Sequence, residues 1–231
     1  MSSAIRKYAA LCIVCLCSSL FFLGLYHFDN KYSQNTIQAA NGILALSEND
    51  LKKSPVRFLV SGWEFYPDAL LTPEEIQDSD HYMRYLSIGE MSNFSSSADS
   101  SPYGCGTYRM TFFLPERKEA YAIELPEVFS SYTLYLDHDR ILQLGDPEQR
   151  IPLVQNRMVT FYGGKPVTLT IAVSNYDHFY GGIVYPPAFG TMLAVNTSRG
   201  IRFAFCLFSC TVTFVCALLS FYFSHRMKQK N

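Results

Sequence analysis

The sequence predicts a mainly β protein, an antiparallel β-sandwich flanked by two transmembrane helices. Three observations carry this. Short stretches of alternating apolar and polar residues recur through the middle of the chain without long helices between them, the pattern of sheet-on-sheet packing. Two uncharged apolar runs, 8–28 and 203–223, bracket that middle and are each about as long as a bilayer-spanning helix. Charge and cysteine are segregated in the same way. The span 29–199 holds every acidic residue and thirteen of the nineteen basic ones, a net −7, while both ends are purely basic.

In chain order, residues 1–7 form a basic cytoplasmic lead. The run 8–28 is read as an uncleaved anchor, because it exits through Tyr26-His27-Phe28-Asp29 with no small-x-small cleavage site; a signal peptide is the other reading. Residues 203–223 form the second span, and 224–231 a basic tail. Basic residues mark the cytoplasmic ends of spans. Arg6-Lys7 and Arg226-Met227-Lys228 therefore put both termini inside and residues 29–199 outside a cell membrane, in a two-pass topology with the lipid bilayer as first partner.

Within the outer domain, residues 31–53 have weak helical spacing and Val56-Arg57-Phe58-Leu59-Val60 reads as a strand. Trp63, the one tryptophan, shares a strand face with Phe65 and reads as core rather than ligand platform. Thr72-Pro73-Glu74-Glu75 is a helix start, with Thr72 as N-cap, proline at the first position and Glu75 completing a capping box. Residues 93–101 form a Ser-rich loop. The strand 107–114 is expected to be central: Tyr108, Met110, Phe112 and Leu114 face the core, and Thr107, Arg109, Thr111 and Phe113 face away. Further strands are expected at 120–125, 131–136, 141–145, 158–162 and 167–173, with turns at Asp137-His138-Asp139-Arg140 and Gly163-Gly164-Lys165-Pro166.

Several segments resemble a known family. Trp63-Glu64-Phe65-Tyr66 with Leu70-Leu71-Thr72-Pro73, then Gly106-Thr107-Tyr108-Arg109 ending in Leu114-Pro115, resembles the extracellular jelly-roll domain of bacterial seven-transmembrane receptors with diverse intracellular signalling modules. Tyr132-Thr133-Leu134-Tyr135-Leu136-Asp137 is similar to that family's YxLYVNG segment, and Val173-Ser174-Asn175 through His178 to Gly181-Gly182 to its VSNxxHxxGG segment. The resemblance covers roughly residues 42–223 and implies a galactose-binding-like sandwich that senses a carbohydrate or other small molecule; the sandwich is also similar to the sugar-binding accessory domain of family 2 glycoside hydrolases, which carries no catalytic residues. The family continues into seven helices and an output domain, whereas this sequence ends at Asn231. The resemblance therefore implies a sensor module truncated or split from its remaining helices, with a separate membrane, kinase or cyclase signalling subunit as partner. Asp137-His138-Asp139 stands where the family has Asn-Gly.

Candidate ligand-binding residues are Arg109, Asn175, Tyr176, His178 and Tyr180. The last four gather on a loop after the cleanest strand, beside Gly181-Gly182. Polar groups that bond hydroxyls and aromatic faces that cover C–H surfaces suit a sugar. The competing reading is structural: Asn175 closes a turn and His178 packs beneath it. Arg109 fits an anionic ligand or a cross-strand ion pair with Glu124. No cofactor is expected; a structural calcium is conceivable but nothing localises it, and Asp137-His138-Asp139 reads better as a solvated turn. Cys105 is a small residue at a strand start or one half of an intermolecular disulfide. There is no phosphate loop, dinucleotide fingerprint, nucleophile elbow or zinc-helix motif, so no enzyme is expected. No basic patch points to nucleic acid. A carbohydrate-binding surface protein without signalling is the alternative function.

Overall fold

The computed structural model describes residues 3–32, 36–78, 80–89, 94 and 101–228. A long helix α1 (Ser3–Asp29) leads into the strands β1 (Ile43–Ala45), β2 (Val56–Phe58), β3 (Trp63–Pro67), β4 (Arg84–Leu86), β5 (Gly104–Phe113), β6 (Tyr121–Leu125), β7 (Val128–Phe129), β8 (Ser131–Leu136), β9 (Asp139–Leu144), β10 (Arg157–Phe161), β11 (Val167–Asn175), β12 (Gly182–Ile183) and β13 (Ala188–Thr191). Short helices α2 (Glu48–Lys53) and α3 (Pro73–Asp78) interrupt them, and the chain closes on α4 (Met192–Lys228).

The larger sheet runs β4-β3-β5-β11-β8-β9, the smaller one β10-β6-β13-β2, and β12 pairs β7 in a separate ribbon. All pairings are antiparallel except that β1 lies parallel to β5, end to end with β3 along the same edge. β5 is central, as its alternation predicts: Tyr108, Met110, Phe112 and Leu114 are buried, and β11 pairs with its full length from Phe112 to Gly104. Between the sheets lies an aromatic cluster. Phe112 of the larger sheet sits 5.2 Å from Phe189 and 5.6 Å from Phe161, both on the smaller one, and Tyr121 stacks on Phe189 at 5.9 Å. Large rings bridging two sheets stabilise a sandwich that has no disulfide to help it. Trp63 is fully buried, donates from Nε1 to the Leu59 carbonyl at 3.1 Å and meets Tyr108 edge-on.

The residues 31–53, read as weakly helical, hold instead the strand β1 and the short α2, whose N-cap Ser47 and Asp50 bond each other's backbone amides. The predicted capping box at Thr72 is present, with Glu75 N–H donating to Thr72 Oγ1 and Thr72 N–H to Glu75 Oε2 at 2.8 Å. Of the Ser-rich loop, residues 93 and 95–100 lie outside the described residues, while Phe94 is buried. The expected pair of flanking spans is met by one helix. Among the described residues only Met192–Leu219 is long and apolar enough to cross a membrane. The apolar stretch of α1 among the described residues is the shorter Cys12–His27.

Candidate functional site

The loop after β11 begins at Asn175, whose side chain is fully buried and faces the core side of the sheet. Its Nδ2 donates to the carbonyls of Pro102 (2.7 Å), His178 (2.6 Å) and Tyr180 (2.9 Å), and its Oδ1 accepts from His178 N–H at 3.1 Å. The side chain ties the loop's own backbone to Pro102, so Asn175 acts here as a brace. Two glycines let the loop lie close over the core. A Cβ on Gly181 would meet the Pro102 carbonyl at 2.3 Å, and one on Gly182, at φ +78°, would meet the Tyr108 hydroxyl. Tyr108 is wholly buried, and that burial pushes its hydroxyl pKa far up, keeping it a neutral donor.

The braced loop turns aromatic groups outward. Phe179 is 71% exposed and Tyr180 51%, their rings 4.4 Å apart. Phe129 sits behind them, 6.2 Å from Tyr180 and 5.2 Å from His178. Tyr176 is covered on one face by the Arg150 guanidinium, 3.8 Å from the ring centroid. His178, Tyr180, Phe179 and Phe129 thus form one aromatic group, while Tyr176 is paired with Arg150. Phe179 was legible as the next residue in the same segment. Arg150 comes from a different loop, and no local signal ties it to Tyr176.

Arg109 lies elsewhere. It sits opposite Thr170 on β11, five residues from Asn175 and so about 16 Å along the strand, and on the other sheet face. Its partner is not Glu124. Arg109 Nη1 meets Glu64 Oε2 at 3.1 Å, directly across β3 and β5. Glu124 is on β6 in the smaller sheet and faces Arg199 at 3.8 Å. The Asp137-His138-Asp139 segment forms the β8–β9 hairpin turn: Asp137 adopts φ +54° and accepts from Thr168 N–H, and His138 Nδ1 lies 2.7 Å from Glu74 Oε1. No group of three metal-ligating side chains occurs among the described residues. Cys105 is half-buried in β5, and burial raises its thiol pKa.

The second region of interest is the junction with α4. β13 ends at Thr191 and α4 begins at Met192, with no residue between them. The helix start is held from both sides: Met192 N–H donates to the Ala120 carbonyl, Leu193 N–H to Glu119 Oε1 and Ala194 N–H to Thr191 Oγ1, which satisfies amides a helix leaves orphaned. The first turns then lie on the outside of the smaller sheet. Val195 is buried, Arg199 faces Glu124, and the Arg202 guanidinium stacks over Phe58 at 5.2 Å. A crevice of about 340 Å³ runs between this part of the helix and Glu124, Pro126, Glu127 and Asn156. The same helix continues unbroken into its apolar stretch.

No known protein family and no curated protein matches the chain. Among solved structures it is similar to Bacteroides uniformis β-glucuronidase 3, at 12% identity and TM-score 0.44, over 60% of this chain and 22% of that one. It is also similar to a glycosyl hydrolase family 2 member from Bacteroides cellulosilyticus, at 12% identity and TM-score 0.47, over 59% and 20%. Faecalibacterium prausnitzii β-glucuronidase is a third, at 15% identity and TM-score 0.42, over 60% and 32%. The chain spans less than a third of the length of each of these structures.

Proposed function

We propose that this chain is a membrane-anchored, extracytoplasmic ligand-sensing module of a bacterial signal-transduction receptor, its sandwich being of the galactose-binding-like kind that the sequence resembles. The observation that carries the reading is the direct passage of β13 into α4. A strand of the smaller sheet and a helix with an apolar, membrane-length stretch share one continuous backbone, with three capped amides at the joint. A ligand that binds two packings of the sheet unequally would shift the helix between them. The basic residues near the far ends of α1 and α4 support a two-pass topology with residues 29–199 outside, in which the chain works with further helices or a separate kinase or cyclase subunit.

Two experiments test this. In intact cells, a membrane-impermeant maleimide should label a Lys165→Cys variant on the sandwich surface; labelling only after lysis would refute the topology. A thermal-shift screen of the full chain in detergent against sugars, oligosaccharides and divalent cations should yield a ligand that raises the melting point. A second reading, a carbohydrate-binding surface protein without signalling, is favoured by the exposed rings of Phe179 and Tyr180. It expects binding with no response in α4.

A further inference from the structure

The strand registers fix which end of the sandwich α4 departs from. Thr191, at the end of β13, lies opposite Tyr121, and α4 then runs back along the smaller sheet. Arg199 faces Glu124 and Arg202 stacks over Phe58. Glu124 and Phe58 both pair with Ala188, so the helix leaves past the end where β6 finishes and β13 begins. Two short connections tie the larger sheet to that same end. β7 lies between β6 and β8, β12 lies between β11 and β13, and the two pair with each other. The β11–β12 loop, residues 176–181, is therefore at the end from which α4 departs. The loop after β9 is there too, since Leu153 N–H donates to the Ser130 carbonyl and Ser130 N–H to that of Ser174. Tyr185, just past β12, lines a cavity together with Leu25 and Tyr26 of α1 and Phe205 of α4.

This end is rich in exposed apolar side chains. Ile151, Leu153, Phe179, Tyr180 and Tyr185 are all exposed on it, and apolar surface gathered in one region marks an interaction site. A sugar platform would need polar groups beside the rings. Asn175, however, is buried and turned onto backbone carbonyls, and His178 packs edge-on against Phe129. The loop carries one acid, Asp177, and the Arg150 guanidinium over Tyr176 sets a positive charge beside it. Rings with polar tips are characteristic of the boundary between membrane and water.

We propose that this end of the sandwich seats on the surface of the bilayer that α4 enters, with Phe179 and Tyr180 at the boundary between headgroups and acyl chains. The proposal rests on the membrane-anchored reading, because α4 is what holds the loop at that surface. Asn175 fixes the loop backbone beforehand, so little conformational freedom is lost on contact. The seat would hold the base of the sandwich still while the β13–α4 joint carries a change past it.

The test is tryptophan quenching, with the full chain in phosphatidylcholine vesicles whose acyl chains carry bromine close to the headgroups. Trp63, the one native tryptophan, is buried in the sandwich and should be unquenched. Phe179→Trp should lose roughly half or more of its added emission, since interfacial side chains sit about 5–10 Å into the headgroup and acyl boundary. Tyr180→Trp probes the same loop a second time. Tyr162→Trp is exposed at the opposite end, one residue past the Phe161–Tyr121 pair, and should be unaffected. Phe208→Trp, exposed in the apolar stretch of α4, should be quenched and reports anchoring on its own. All these replaced side chains are exposed, so the core is left intact. Quenching at Phe208→Trp with none at Phe179→Trp or Tyr180→Trp overturns the seat and leaves anchoring intact; a shift of that unquenched emission by an oligosaccharide would make the loop a sugar platform instead. Tyr162→Trp quenched as strongly as Phe179→Trp also overturns the seat. No quenching at any position, Phe208→Trp included, overturns both the seat and the anchoring.

Discussion

If Asn175 is a brace, removing its side chain must cost stability with no ligand present. Asn175→Ala deletes three contacts to the carbonyls of Pro102, His178 and Tyr180 and one from His178 N–H. A hydrogen bond contributes about 1 kcal/mol net. Water reaches some of the freed loop groups, so the loss should be roughly 2–4 kcal/mol. At about 2–4 °C per kcal/mol for a domain of this size, the melting point should fall by roughly 5–15 °C. The assay is urea unfolding of the full chain in detergent followed by Trp63 emission. Trp63 is the one tryptophan and is fully buried in the sandwich, so neither long helix contributes to the signal. With a slope of about 2 kcal/mol per molar urea, the midpoint should drop by about 1–2 M. Asn175→Asp sharpens the test. It keeps the acceptor but turns an anionic oxygen toward three carbonyls, which raises its folded-state pKa. Its stability should therefore be best at acid pH and be lost as pH rises through that raised value. A change below about 0.5 kcal/mol in Asn175→Ala, the range of an ordinary surface substitution, would refute the brace.

Other outcomes follow from the same contacts. Phe189→Leu, which thins the cluster with Phe112, Phe161 and Tyr121, should cost about 1–2 kcal/mol by Trp63-detected unfolding. The half-buried Arg109–Glu64 pair should show a coupling of about 0.5–1 kcal/mol in a double-mutant cycle, and Arg109 with Glu124 none. The Ser47 hydroxyl and its backbone amide hold the Asp50 carboxyl below its usual range. Their contribution is present above the unfolded-state pKa and is lost as pH falls through the lowered one, so Ser47→Ala should flatten that acid limb of an unfolding series. Gly62→Ala, at φ +81° with its new Cβ 2.2 Å from the Ala39 carbonyl, should destabilise by more than 1 kcal/mol.

The sandwich was legible because its strands carry their own periodicity. Val167 to Val173 and Tyr108 to Leu114 declare strand and buried face together, and their pairing in β5 and β11 follows. Three-residue β1 and β4 and the two-residue β7 and β12 are too short for any period and are made by neighbours. The partner of Arg109 was not legible either, since it depends on which strand lies beside β5, and Glu64 and Glu124 both sit in β-patterned segments. The loop at Asn175 announced a turn and an aromatic rim, but which of its residues point outward is set by Pro102 and Phe94, far away in sequence. The second helix was expected from its apolar run at 203–223. Its docked start at Met192 carried one local signal, Thr191 as an N-cap, and lacked the charge-free composition that marks a span.

The claim that matters most is mechanical: whatever the sandwich binds is felt in α4 through an unbroken joint. Amide hydrogen exchange across Met192–Leu219, with and without a ligand found in the screen, measures this most directly. Binding should change protection in the docked turns around Val195, Arg199 and Arg202 as well as at the binding site. Saturating ligand that protects only the sandwich loops, with α4 unchanged, would contradict the account and leave a binding protein in its place.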